Sequence, residues 1–223
     1  MAFESEAFIN TKDRYLQIAF DRNLASVSEV LPQIPNDDRI LVEVGTPLIK
    51  QYGASAIAQM RSLCENYLVA DVKAMDRGVM EVEIASSSGA DAVVVLGSAP
   101  IETLDFFIET CKNHGVDSMI DMINLMNLEK PVRILQKLKK QPDVVILHRG
   151  FDEYTVRNKQ LPLAEISDIR DHYSTPISVA GCVDLDDIQR AFFNGANVVV
   201  MTDTLTPPQQ LPKIAKDFLK NTR

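Results

Sequence analysis

Cysteine is scarce in this chain and stands dispersed. Cys64, Cys111 and Cys182 form no C-x-x-C pair, which excludes paired thiolate metal clips and dithiol redox motifs. Reduced thiols in a cytoplasmic protein are the expectation. Positive charge is in deficit as well: 23 Lys and Arg face 31 Asp and Glu, a net charge of −8. That balance argues against nucleic acid or an anionic membrane as the main partner, although a local cluster can still hold a small anion. No apolar run approaches the ~20 residues a bilayer crossing needs. The acidic start Met1-Ala-Phe-Glu-Ser-Glu-Ala-Phe8 has no basic region followed by an apolar one, so no secretory signal is expected. Neither G-x-G-x-x-G nor a P-loop occurs, which weakens every nucleotide-fold reading. Linkers and low-complexity tracts are also lacking, so residues 1–223 read as one domain.

What is present is alternation. Short β-branched runs are expected as strands at Tyr15–Phe20, Arg39–Val44, Leu68–Asp71, Ala92–Leu96, Ser118–Asp121, Val144–Leu147, Ile177–Ala180 and Val198–Met201. Most are continuously apolar, as in parallel strands covered on both faces. Longer amphipathic segments lie between them, including Val79–Ser88, Glu102–His114, Leu128–Lys140, Leu185–Asn194 and Gln209–Lys220. Gly89, Gly115 and Gly195 mark helix exits, and Asp184 is placed to cap a helix start. Eight βα units over 223 residues is about 28 residues each, the size of a compact (β/α)8 TIM barrel.

Barrel chemistry sits at the carboxyl ends of the strands. Here those ends carry Asp21, Glu43, Asp71 with Lys73, Gly97, Asp121, His148, Gly181, and Thr202 with Asp203. Residues two apart on a strand share a face, so Asp71 and Lys73 emerge side by side, and Asp76 follows once the chain has left the strand. Such a pair serves proton transfer through mutual pKa shifts, and it is also what an ordinary ion pair looks like. Carboxylates this crowded call for a cation among them, and two protein oxygens completed by water and substrate suit Mg²⁺. Of the three histidines only His148 lies on this rim; His114 and His172 fall at helix ends.

Four segments in order then resemble 3-hexulose-6-phosphate synthase, in the orotidine 5′-phosphate decarboxylase suprafamily. They are Glu43-Val-Gly-Thr-Pro-Leu-Ile-Lys50, Ala70-Asp-Val-Lys-Ala-Met-Asp-Arg-Gly78, Val95-Leu-Gly97 and His148-Arg-Gly-Phe-Asp152. The resemblance runs from about Leu16 to about Val200. It implies a Mg²⁺-dependent aldol addition of formaldehyde to D-ribulose 5-phosphate through an enediolate. It further implies Glu43 and Asp71 as metal ligands, Lys73 stabilising the enediolate oxygen, and Asp21 orienting Lys73 and substrate hydroxyls. His148 would be the proton-transfer base. The family's dimers share their sites, so Asp76 would act in the partner's.

The chain departs from this family where phosphate is bound, after strands seven and eight. Gly181-Cys182 stands for a glycine pair, and Thr202-Asp203-Thr204 has no glycine. Gly181, Cys182, Thr202 and Asp203 are therefore the candidate phosphate-binding positions, with Asp203 expected to repel the dianion and the two threonines to compensate in part. Arg157 or Lys159 are further candidates for the lost positive charge. Arg149 after the histidine is more like 3-keto-L-gulonate 6-phosphate decarboxylase. Three readings follow: a hexulose-phosphate synthase, a related decarboxylase or divergent paralogue, and a non-catalytic regulatory subunit.

Overall fold

All eight expected strands form, and they close on themselves. The computed structural model describes residues 7–125, 130–157 and 160–222. Its strands are β1 (Tyr15–Phe20), β2 (Ile40–Val44), β3 (Leu68–Ala74), β4 (Ala92–Leu96), β5 (Asp117–Asp121), β6 (Val144–His148), β7 (Ile177–Cys182) and β8 (Val198–Thr202). Each pairs in parallel with its neighbours in chain order, and β8 returns to β1, giving a (β/α)8 TIM barrel. The surrounding helices are α1 (Leu24–Val30), α2 (Thr46–Tyr52), α3 (Ala54–Leu63), α4 (Gly78–Ser87), α5 (Ile101–His114), α6 (Pro131–Leu135), α7 (Phe151–Arg157), α8 (Ala164–Arg170), α9 (Leu185–Phe193) and α10 (Leu211–Asn221).

Two apolar layers follow from the period-2 alternation of each strand. Outward residues such as Leu16, Ile18, Phe20, Val42 and Val95 pack beneath the helices. Inward residues such as Ala19, Leu41, Val69, Val94, Met119, Ile146 and Val200 fill the barrel. Local signals read from the sequence hold at several helix ends. Asp184 caps α9 by accepting the Asp187 N–H at 2.8 Å, and Gly115 ends α5 in the left-handed region, φ 68°. The expected Leu128–Lys140 helix is corrected to the single turn-and-a-half of α6. Pro131 sets its start, and the chain leaves the helix after Leu135 through a turn at Gln136 and Lys137, with Leu138 buried beyond it. Residues Leu128 and Glu129 lie outside the described residues.

At the amino-terminal floor, Phe8 stacks on Tyr67 with centroids 4.6 Å apart. The Asp117 carboxylate accepts the Tyr67 hydroxyl at 2.5 Å and the Phe8 N–H at 3.1 Å. No helix among the described residues is long and apolar enough to cross a membrane.

Candidate active site

The same alternation that fills the barrel decides which polar groups look into its mouth. Asp21, Glu43, Asp71, Asp121, His148 and Thr202 continue the inward sequence of β1, β2, β3, β5, β6 and β8. All six line a cavity of about 890 Å³ at the carboxyl end. Lys73 joins them by a different route. β3 bulges between Ala70 and Ala74, and Lys73 takes φ 47°, so it meets Asp71 through a kink in the strand rather than a regular pleat. A non-glycine residue in that region is uncommon, and such strain concentrates at functional sites.

Lys73 Nζ lies 2.9 Å from Asp71 Oδ2 and 2.6 Å from Asp121 Oδ2. Burial works against its charge, but the two carboxylates outweigh this and hold it above the usual lysine range. Lys73 is therefore a fixed ammonium. The expectation that Asp21 orients Lys73 is corrected, since Asp71 and Asp121 make those contacts. Asp121 is the residue that sequence reasoning left without a role. It is 1% exposed and accepts from Lys73 while contacting His148 Nδ1 at 2.8 Å. Burial alone would raise its pKa; His148 and Lys73 instead bring it well below the carboxylate range. Its position after Met119, in phase with the inward residues of β5, was the available signal.

Glu43 is pushed well above the usual carboxyl range by burial and by the charges of Asp71 and Asp21. The buried Gln17 amide donates to its Oε2 at 2.5 Å. Asp71 is held by Thr46, whose hydroxyl lies 2.8 Å from Oδ2. Its other oxygen, Oδ1, is buried without a hydrogen-bond partner. Asp21 is also raised, by burial first, and Thr202 Oγ1 donates to it. A mutually repelling pair with one orphaned oxygen suits a hard divalent cation completed by water and substrate oxygens. Among the described residues no group of three or more His, Cys, Asp or Glu side chains is arranged to hold a metal ion.

The turns after β7 and β8 correct the phosphate expectation. Gly181 has φ 96°, and a register shift there reverses the phase of β7. Cys182 consequently faces the helix layer, fully buried, with its thiol pushed up to about 12 by burial. Asp203 lies out of phase with Val198, Val200 and Thr202, and its fully buried carboxylate is absent from the cavity wall. Neither side chain reaches a ligand in the mouth, and the expected repulsion by Asp203 has no geometric basis. Gly181, Thr202 and Thr204 do line the cavity. Arg149 is 4% exposed; it donates to Gly181 O, pairs with Asp187 Oδ2 at 3.1 Å and stacks 4.5 Å from the Tyr154 ring. It braces the β6 and β7 turns against α7 and α9, so its presence does not by itself mark a decarboxylase. Lys159 and the Arg157 side chain lie outside the described residues. Asp76 is exposed and absent from the cavity wall.

The buried carboxyls also set a stability slope. Burial pushes Asp117 and Asp203 up to about 6 from an ordinary 3.8. Between those values the folded chain binds more protons than the unfolded one, so stability falls as pH rises through that window. In metal-free buffer the melting temperature is expected to be about 5 °C higher near pH 5 than at pH 7.5. A pH series of thermal melts checks this, and a flat or opposite slope would overturn it.

Residues 14–157 match the family model described as Orotidine 5′-phosphate decarboxylase / HUMPS family. The chain belongs to that family. Among curated relatives of this family, the Bifunctional enzyme Fae/Hps of Methanosarcina acetivorans is 36% identical over 207 residues, covering 92% of this chain and 52% of that protein. The protein of the same name from Methanocella arvoryzae is also 36% identical, over 210 residues and with the same coverage. The chain thus spans about half the length of these relatives. A crystal structure of 3-hexulose-6-phosphate synthase superposes with a TM-score of 0.81 at 28% identity, covering 94% of this chain and 100% of that one.

Proposed function

We propose that this chain is a 3-hexulose-6-phosphate synthase, adding formaldehyde to D-ribulose 5-phosphate by an aldol reaction. The observation that carries the reading is the Lys73–Asp121–His148 relay beside the Glu43–Asp71 pair, on the fold of a synthase. Nδ1–H of His148 donating to Asp121 leaves Nε2 as the basic nitrogen, oriented by a buried carboxylate. His148 takes the proton from the carbon beside the sugar carbonyl. The fixed Lys73 ammonium stabilises the enediolate oxygen that forms, and, being held charged, serves as an electrostatic group rather than a base. The carbon nucleophile adds to formaldehyde, and His148 returns its proton to the new alkoxide. Mg²⁺ held by Glu43 and Asp71 would supply Lewis-acid stabilisation of the sugar oxygens.

An orphaned, buried Asp71 oxygen beside a raised Glu43 costs stability without structural return, which weighs against a non-catalytic subunit. A homodimer with shared sites is part of the same proposal. Asp76 is exposed amid an apolar surface of Met75, Val79 and Met80, which are 48%, 41% and 49% exposed. The test is formaldehyde consumption with ribulose 5-phosphate, with and without Mg²⁺, run beside CO₂ release from 3-keto-L-gulonate 6-phosphate. Mg²⁺-dependent consumption is expected. Activity confined to the decarboxylation would overturn the synthase reading.

A further inference from the structure

The turn after β8 is built around Asp21. Asp203 Oδ1 accepts the Asp21 N–H at 2.9 Å, across the closure of the barrel between β8 and β1. The Asp203 carbonyl accepts Arg22 Nε at 2.7 Å, and its own N–H donates to Ala19 O at 3.0 Å. On the cavity side Thr202 Oγ1 donates to Asp21 Oδ2 and lies 2.9 Å from Thr204 Oγ1. The remaining oxygen, Asp21 Oδ1, lies against Gly45, where an added Cβ would stand only 1.8 Å away. The Asp21 backbone N–H and its Oδ2 are thus each held by a hydrogen bond, and Oδ1 occupies the space that a side chain at position 45 would need. Both hydrogen bonds come from Thr202 and Asp203, the residues that stand where the resembling family has glycine.

We propose that Asp203 is a positioning residue for Asp21, so that this turn holds the carboxylate that the resemblance assigns to substrate hydroxyls instead of cradling an anion with its side chains. Asp203 touches no ligand, being fully buried and turned from the cavity. Its effect passes through one hydrogen bond to the backbone of a residue that lines the cavity. A carboxylate held within a fraction of an ångström orients substrate hydroxyls, and loosening it lowers the rate of the bound complex more than its formation. Asn retains the Oδ1 acceptor, whereas Gly, the residue of the family pattern, removes it. The remaining Asp203 oxygen, Oδ2, has no hydrogen-bond partner, so the Asn amide disturbs no existing contact.

This inference rests on the synthase reading for its kinetic arm only. Asp203→Asn is expected to keep kcat within about twofold of wild type. Asp203→Gly is expected to lower kcat by about 30-fold with KM for ribulose 5-phosphate changed less than about threefold, a split a phosphate-cradle role would reverse. In both, the backbone amide of Asp21 is followed by ¹⁵N NMR and hydrogen exchange, which needs no activity. Protection of that amide is expected in wild type and Asp203→Asn, and its loss in Asp203→Gly. Should Asp203→Gly fail to fold, Asp203→Ser, which shortens the acceptor, takes its place with the same expectations. A KM effect without a kcat effect, equal damage by Asn and Gly, or an Asp21 amide indifferent to all three substitutions would each overturn the proposal. Wild-type protein inactive on this substrate, with the amide pattern as expected, would instead overturn the synthase reading and leave the positioning role standing.

Discussion

Asp71→Asn is expected to lower turnover on the order of 10²–10³-fold and to weaken the dependence on Mg²⁺, while the barrel stays folded. Asp71 is the residue through which the two halves of the site meet. Its Oδ2 takes the Lys73 ammonium and the Thr46 hydroxyl, and its Oδ1 is the buried oxygen left over. Asn keeps the shape and an acceptor for Thr46, and Lys73 retains Asp121. What disappears is a negative charge that raises the pKa of both Glu43 and Asp21. Without divalent cation the variant should therefore melt no lower than wild type, and higher if relief of crowding dominates. Steady-state kinetics across a Mg²⁺ titration, with melts in the presence of a chelator, check both halves. Unchanged turnover with unchanged Mg²⁺ dependence would remove Asp71 from the metal site.

The second large effect is a recovery. Lys73→Ala and Asp76→Ala are each expected to be nearly inactive alone. Mixed one to one under conditions that exchange subunits, they should regain about one quarter of wild-type turnover. Half of the dimers are then hybrids, and one site of each hybrid carries both intact residues. The expectation follows from Lys73 lying inside the cavity and Asp76 lying outside it on an exposed apolar surface. Verified hybrids that remain inactive would show that the sites are not shared. Wild-type-like activity in Asp76→Ala alone would show that Asp76 has no part in them.

Much of the site was legible because a parallel strand has period two. Once an apolar run is recognised, the face of each residue at its carboxyl end follows by counting. The period puts Asp21, Glu43, Asp71 and His148 on the inward face, where they line the cavity, and it turns Asp203 away from the mouth, out of phase with Val200 and Thr202. A position matched to a family's glycine carries no information about which way a side chain placed there points. Cys182 was beyond counting, because the phase of β7 reverses at Gly181, and a glycine with positive φ in a strand is not distinguishable from any other glycine in sequence.

The eight-strand alternation, the rim of polar residues and the family are properties of the sequence itself. Each depends on local periodicity or on motifs a few residues long. Which acid serves which base was decided by tertiary structure alone. Asp121 reaches Lys73 and His148 from 48 and 27 positions away, and Asp203 reaches Asp21 across 182. Closing the barrel is what brings β8 against β1 and turns distant strand ends toward a common axis. No local pattern encodes the partner of a charge when that partner arrives only through closure.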